Sequence, residues 1–393
     1  MLIKNATYFD GARIIRGDFR NGPSDEEFDA TGKFAFPAFY NAHTHLSMTL
    51  MRGAGDDDLL HEWLNNVIFP MEQHLTPDLV YKGAMMGLLE MIRTGTSCFN
   101  DMYYFTEEVA KATERSGIRG VLGVPIIDLK TPHFDGADGA LKEFERLMGL
   151  KFSETVQFCA APHSIYLCPE EMLVKAKEKS LQYGVKFMTH ISETRKECAD
   201  CHRSTGMWPV EYMDSLGLLD ENTVLFHAAW LTKMEVKILG DHGCTVVHCP
   251  SSNMKLASGG VMPLPELLAA GVNVMLGTDG AASNNSLDMM NEMKTGALLQ
   301  KSHRWDPTEA DATTMLKMAT SGSRDIAFVD LNDYRMLPHH NLISNVVYSG
   351  GTVTDLIVED RRIMKDMEIL TFDEEKVKAE FVEAASELAE WKK

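Results

Sequence analysis

Positive charge is scarce in this chain of 393 residues. Its 38 Lys and Arg stand against 57 Asp and Glu, a formal net charge of -19. A surface of that sign repels phosphate backbones, which sets nucleic-acid partners aside. Cysteine is sparse as well: seven residues, an odd number spread over a large chain, argue for reduced thiols and against a disulfide framework. No apolar run reaches the roughly 18 residues that a membrane span needs. The first residues, Met1-Leu-Ile-Lys-Asn-Ala-Thr7, have no basic stretch followed by an apolar one, so the expectation is a cytoplasmic protein without a membrane partner. One sulfur cluster, Cys198-Ala-Asp-Cys201-His202, matches the pattern of c-type haem attachment. It sits among charged residues, has no second cysteine pair that would complete a zinc site, and reads as surface thiols.

What is present is ordinary globular material, 45% apolar and 24% charged, long enough for one large domain or two unequal ones. From residue 34 a rhythm sets in: a short apolar run, a polar loop, then a stretch of helical periodicity. The runs fall at 34–40, 96–99, 120–127, 156–161, 185–188, 223–226, 244–247 and 272–276, with helix-like stretches such as 78–93 and 169–183 between them. Eight strands alternating with helices predict a (β/α)8 TIM-like barrel. An open doubly wound sheet is the alternative, but no Gly-x-Gly-x-x-Gly follows the first strand. The rhythm changes after Ser321-Gly322. Runs at 326–329, 345–348 and 355–358 read as antiparallel strands, and 373–393 as an amphipathic terminal helix. The expected organisation is therefore a barrel over 37–322 beside a small β-sandwich domain built from 1–36 and 323–393.

Chemistry in a barrel collects at the carboxyl ends of its strands, and here those ends are rich in ligands. The first runs into Asn41-Ala-His43-Thr-His45, where residues two apart share a face, so both imidazoles aim at one point. A lone His-x-His is weak evidence for a metal. Partners follow, however: His163 after strand four, His190 and Glu193 after strand five, His227 after six, His248 after seven and Asp279 after eight. His43, His45, His190 and Asp279 can supply three nitrogens and one oxygen, leaving a position for water. A divalent ion lowers the pKa of such a water toward 7. His227 and Asp279 would orient the water and take its proton, and Glu193 would carry a proton to the substrate. The plain alternative for Glu193 is an ion pair with Arg195 or Lys196. Zinc is the first expectation, with iron or manganese accepted by the same donors. A second metal would need a bridging ligand at the end of strand four, often a carboxylated lysine. Ala160-Ala-Pro-His163 offers none, so one ion per subunit is expected.

Over nearly its whole length the chain resembles the amidohydrolase superfamily, and within it the S-adenosylhomocysteine and 5′-methylthioadenosine deaminases. The matching stretches are Asn41-Ala-His-Thr-His-Leu46, Met48-Thr-Leu-Met-Arg-Gly53, Glu62-Trp63-Leu64 with Pro70-Met71-Glu72, Pro162-His-Ser-Ile-Tyr-Leu-Cys168, His190-Ile-Ser-Glu193, His248-Cys-Pro-Ser-Ser-Asn-Met-Lys-Leu256 and Leu276-Gly-Thr-Asp-Gly-Ala-Ala-Ser-Asn-Asn-Ser286. The resemblance implies metal binding by His43, His45, His190 and Asp279, and catalytic roles for Glu193 and His227. It implies that Glu72 accepts hydrogen bonds from both ribose hydroxyls, that His163 touches substrate and that Trp63 lines the adenine pocket. The implied reaction is hydrolytic deamination of an adenosine-type nucleoside by hydroxide attack at C6, with Glu193 protonating N1. A homo-oligomer is the family's usual state. The rival on the same scaffold is a deaminase or chlorohydrolase of another heterocycle, such as guanine, cytosine or a triazine, which Glu72 and the Asn284-Asn285 loop disfavour.

Two departures from the family pattern matter. Members that accept S-adenosylhomocysteine are expected to place arginines near the end of strand three, to hold the amino-acid carboxylate. This chain has Val121-Leu-Gly-Val-Pro-Ile-Ile-Asp128 there, with Lys130 as the nearby cation. A buried carboxylate without a partner is costly, so uncharged 5′ groups are expected: 5′-methylthioadenosine, 5′-deoxyadenosine or adenosine. The stretches around 17–24 and 322–324 are each shorter than the pattern by about a strand, which suggests a paired contraction of the small domain.

Overall fold

The computed structural model describes residues 1–57 and 60–391. Among them the strands fall into two sheets. The larger holds β1 (Phe39–Thr44), β2 (Thr96–Met102), β3 (Arg119–Ile126), β4 (Val156–Pro162), β5 (Phe187–Ile191), β6 (Thr223–His227), β7 (Thr245–His248) and β8 (Asn273–Leu276), hydrogen-bonded in sequence order. Neighbours run parallel with helices between them, and β2 is buried at every position. Strands covered on both faces must read as continuous apolar runs, which is why the rhythm was visible in the sequence.

The sheet closes between its last and first strands, beside the candidate ligands. The Asp279 N–H donates to the His43 carbonyl at 2.9 Å. The Asn41 amide spans the same seam: its Oδ1 accepts the Thr278 N–H at 3.0 Å and its Nδ2 donates to Thr278 Oγ1 at 2.7 Å. Gly277 lies so close to β1 that a Cβ there would come within 2.7 Å of the His43 nitrogen. The fold is thus a (β/α)8 barrel whose closure aligns His43 with Asp279. Asn41→Ala leaves the buried Thr278 amide without its acceptor and should cost about 2 kcal/mol. A lower urea midpoint at unchanged slope is the expected reading.

The first apolar run, expected as one barrel strand, is divided. Lys33–Pro37 belongs to the small sheet, antiparallel to Ile326–Asp330. Pro37 has no N–H to continue a ladder, and the next two amides turn elsewhere, Ala38 to the Asp325 carbonyl and Phe39 to that of Gly95, both at 2.9 Å. The chain is handed from one sheet to the other at Ala38. His43 consequently lies within β1, and His45 one residue past its end.

The small sheet also contains Leu2–Phe9, Ile14–Arg20, Glu27–Asp29, Val353–Val358, Arg361–Lys365 and Glu368–Ile369. Its hydrogen bonds make one continuous sheet, and the sandwich arises by folding that sheet over. Phe28 meets Phe328 with ring centroids 4.6 Å apart, and Arg362 Nη2 donates to the Glu27 carbonyl at 2.8 Å. The turn at 21–24 is gathered by Asp360, whose carboxylate takes the Met1 ammonium at 3.1 Å and the Ser24 N–H at 3.2 Å.

Two further expectations change. Residues 345–348 are not a strand but the end of helix Leu342–Tyr348. The Asn341 side chain caps it by accepting the Ser344 N–H at 3.0 Å, and Leu342, Ile343, Val346 and Val347 are buried at helical spacing. Capping and packing outweigh the β-branched preference there. Cys198 and Cys201 are buried free thiols rather than surface ones, because three-residue spacing sets both on the inner face of helix Arg195–Thr205. The terminal helix runs over Glu374–Ala389 with Asp373 as its cap, and Lys392 and Lys393 lie outside the described residues. Among the described residues no helix is long and apolar enough to cross a membrane.

Candidate active site

Four strand ends converge on His43. Its ring is fully buried, stacked on Phe226 with centroids 3.8 Å apart. Ring centroids of His45 and His190 lie 4.9 Å away and that of His227 5.5 Å away. Asp279 Oδ1 stands 3.4 Å from His43 Nε2 and 3.3 Å from His45 Nε2. Among the described residues two groups can hold an ion, with donor atoms within 4.8 Å of one another: His43, His190 and His227, and His43, His45 and Asp279. His43 belongs to both.

The donors are oriented for a cation. His45 Nδ1 donates to the Met102 carbonyl at 2.6 Å and His190 Nδ1 to that of His163 at 2.7 Å. In each ring this leaves Nε2 with its lone pair free. Asp279, at φ 63°, receives Ser252 Oγ at 2.6 Å and Ser283 Oγ at 2.9 Å on Oδ2, and the Gly280 N–H at 2.7 Å on Oδ1. Both His43 ring nitrogens are buried with no hydrogen-bond partner among the described residues. Orphaned buried nitrogens are costly, and a divalent ion would satisfy one of them. Burial holds His43 down to about 3 and His190 well below its usual range, so both rings are neutral, the form that ligates. Burial alone would raise Asp279, but the imidazoles of His43, His45 and His227 hold its carboxyl well below the carboxylate range. Three imidazoles and one carboxylate fit a divalent ion such as zinc.

Around this centre lie the other expected residues. Glu193 follows β5, its Oε2 4.0 Å from His227 Nε2, and burial raises its carboxyl. His227 stands at φ 72°, with Asn253 Nδ2 donating to its Nδ1 at 3.2 Å. His163 stacks on His190 with centroids 4.5 Å apart. Glu72 is 7% exposed and Oε1 accepts the Tyr103 hydroxyl at 3.0 Å. Tyr103 lies 6.3 Å from the His45 ring, centroid to centroid, and so links Glu72 to the histidines. Burial lifts Glu72 to about 7 against the opposing Tyr103 hydrogen bond. Trp63 is buried on the helical segment that carries Glu72, its Nε1 donating to the Ala54 carbonyl at 3.0 Å. His248 joins neither ligand group.

Several supporting residues escaped the sequence. Asp101, at the mouth end of β2, accepts Thr44 Oγ1 at 2.9 Å and the Leu46 N–H at 2.6 Å, bracing the chain on both sides of His45. The strand-end rule would have found it had β2 not been read as stopping at 99. Ser252, Ser283 and Asn253 stand inside motifs quoted for other reasons. Tyr103 carried no signal, because its partner Glu72 is known only once loops meet.

The model of the amidohydrolase family matches residues 34–326. A Thermococcus sibiricus protein named 5-methylthioadenosine/S-adenosylhomocysteine deaminase is 42% identical over 402 aligned residues, covering 93% of this chain and 94% of its own. A 5′-deoxyadenosine deaminase of Methanosphaera stadtmanae is 40% identical, covering 92% and 89%. The crystal structure of an adenosine deaminase from Xanthomonas campestris with bound zinc, 29% identical, superposes with a TM-score of 0.94 over 99% of this chain and 98% of its own.

Proposed function

Since the chain belongs to the amidohydrolase family, we propose that it hydrolyses the exocyclic C6 amine of adenosine-type nucleosides, consuming water and releasing ammonia and the inosine analogue. One observation carries the reading. The imidazoles of His43, His45 and His190, the first and last held neutral by burial, and the Asp279 carboxylate converge beside Glu193, a buried carboxyl whose hold on its proton is strengthened. One divalent ion per subunit, zinc first, held by His43, His45, His190 and Asp279, would supply an acidified water at neutral pH.

The chain's own groups do the rest. Asp279 accepts the proton of the attacking water, and His227 orients that water from the opposite side. Glu193 delivers a proton to N1, the ring nitrogen next to the carbon under attack, so that C6 becomes tetrahedral without negative charge building on the ring. The proton gained by Asp279 leaves with the amine as ammonia. Glu72 accepts from the ribose hydroxyls, since Tyr103 occupies only one side of its carboxyl. His163 and Trp63 flank the base.

Relatives named for 5′-methylthioadenosine with S-adenosylhomocysteine and for 5′-deoxyadenosine match at similar identity, so the 5′ group is read from this chain. From Gly120 to Glu145, across the end of β3 and beyond, the chain has no arginine, and Lys130 is the nearby cation, which supports an uncharged substituent. kcat/KM should be highest among 5′-methylthioadenosine, 5′-deoxyadenosine and adenosine; a clear preference for S-adenosylhomocysteine overturns this. Free adenine is the control for ribose recognition. Glu72→Gln should lower kcat/KM on nucleosides by roughly 10- to 100-fold, the worth of a hydrogen bond to a charged group, while barely changing that on adenine. Because Glu72 titrates near 7, it gains a proton and loses acceptor strength as pH falls. KM for nucleosides should therefore rise from pH 8 to pH 6 in the wild type and stay flat in Glu72→Gln.

A further inference from the structure

Among the described residues no hydrogen bond holds the Glu193 carboxyl itself; His227 Nε2 lies 4.0 Å from its Oε2. The direction of the side chain therefore rests on the backbone that carries it. That backbone is unusual, because the preceding residue, Ser192, has φ 49°, in the left-handed region that a side chain disfavours. Something must hold the turn.

Helix Arg195–Thr205 begins just beyond it. Thr194 is the cap, its Oγ1 accepting the Glu197 N–H at 3.1 Å. In a capping box the glutamate at this third helical position folds back onto the amide of the capping residue. Glu197 instead reaches further. Its Oε1 accepts the Ser192 N–H at 2.8 Å and its Oε2 the Glu193 N–H at 2.9 Å. Two successive amides around a left-handed residue make a concavity suited to an anion, and a carboxylate 6% exposed fills it. On the other side of the turn the Ser192 carbonyl accepts the Trp230 N–H at 3.0 Å. The peptide units before and after Ser192 are thus clamped from both directions.

We propose that Glu197 is a positioning residue for the reaction: its carboxylate, by holding the Ser192 and Glu193 amides together, fixes the direction in which Glu193 leaves the backbone toward the substrate. The inference rests on the proton-transfer role given to Glu193 above. It assigns Glu197 a consequence for turnover, distinct from the stability that any cap contributes.

The molecule supplies its own control. Glu235, 0% exposed, occupies the same position in helix Lys233–His242, after the cap Thr232, and accepts the Thr232 N–H at 2.8 Å and the Val210 N–H at 3.0 Å. It too holds two buried amides, but neither belongs to a residue of the reaction. Glutamine at either position keeps one acceptor oxygen and turns an NH2 toward the second amide. Both Glu197→Gln and Glu235→Gln should lower the melting temperature of the metal-loaded protein. Only Glu197→Gln should lower kcat, by about 30- to 100-fold, the effect of displacing a reacting group by around an ångström. Its KM should stay within about twofold, since Glu72 is untouched, and its metal content should equal the wild type's. Glu197→Asp, which keeps the charge but shortens the reach, should show the same fall and replaces the glutamine variant if that one does not accumulate. Wild-type kcat in either folded Glu197 variant, or equal kcat losses in the Glu197 and Glu235 variants, overturns the proposal. Glu193→Gln run alongside separates the two ideas: an inactive Glu193→Gln beside a fully active Glu197→Gln removes only the clamp, whereas an active Glu193→Gln removes the reading beneath it.

Discussion

Glu193→Gln should leave the metal bound and lower kcat by roughly three to four orders of magnitude, the upper range for a positioned acid or base. The argument is one of chemistry at constant shape. Glutamine fills the same volume beside His227, and none of the groups expected to hold the ion is altered. What disappears is an acidic proton. Burial favours the protonated form of this carboxyl, so the native side chain is prepared to give a proton to N1 and to recover one as ammonia departs. An amide can offer only a weak hydrogen bond. KM should change by no more than a few-fold, because ribose recognition rests on Glu72. The melting temperature should hold or rise, since a neutral amide costs less to bury than a carboxylate. The measurements are steady-state deamination of 5′-methylthioadenosine, metal analysis and a thermal melt on one preparation. Turnover within tenfold of wild type, with metal retained, would refute the proton-transfer role.

Stripping the metal with a chelator should abolish deamination and lower the melting temperature together, and zinc should restore both. The coupling follows from His43. Its two buried ring nitrogens have no hydrogen-bond partner among the described residues, so the metal-free native state carries an unsatisfied polar group that the ion would relieve. An ion that binds only the native state stabilises it by about 4 kcal/mol when free metal exceeds its dissociation constant a thousandfold. For a chain of this length that corresponds to about 5 °C. Reconstitution with iron or manganese tests the same donors and identifies which ion supports the fastest turnover. Full activity in a chelated preparation shown to hold no metal would sink the hydrolytic reading of the site.

The chain order of strands and ligands was legible because two short-range rules govern it. A strand buried on both faces is mostly apolar, and a ligand must stand where that strand ends. Both leave marks within a few residues of each other, so His43, His45, His190, His227 and Asp279 could be named from sequence alone. Where a rule needed a partner remote in the chain, the reading failed. The apolar run at 34–40 gives no sign that Ala38 divides two sheets, since the dividing carbonyls belong to Gly95 and Asp325. Val346-Val-Tyr348 resembles a strand until Asn341 is seen to cap it. Cys198 and Cys201, flanked by charge, look exposed until the helix bearing them turns them inward.

By itself, then, the sequence determined the barrel and the class of reaction, and it put the candidate donors at the strand ends. Residue type and spacing along a strand are enough to specify them. Only the tertiary structure decided how the donors are held: His43 against Phe226, Asp279 between Ser252 and Ser283, Glu72 under Tyr103, and the Glu193 turn clasped by Glu197. Most of these contacts depend on closure of the sheet and on the meeting of loops from different strands, so packing sets their geometry. The Glu197 clasp is local, but its reach past the Thr194 cap to Ser192 and Glu193 is visible only in the folded turn.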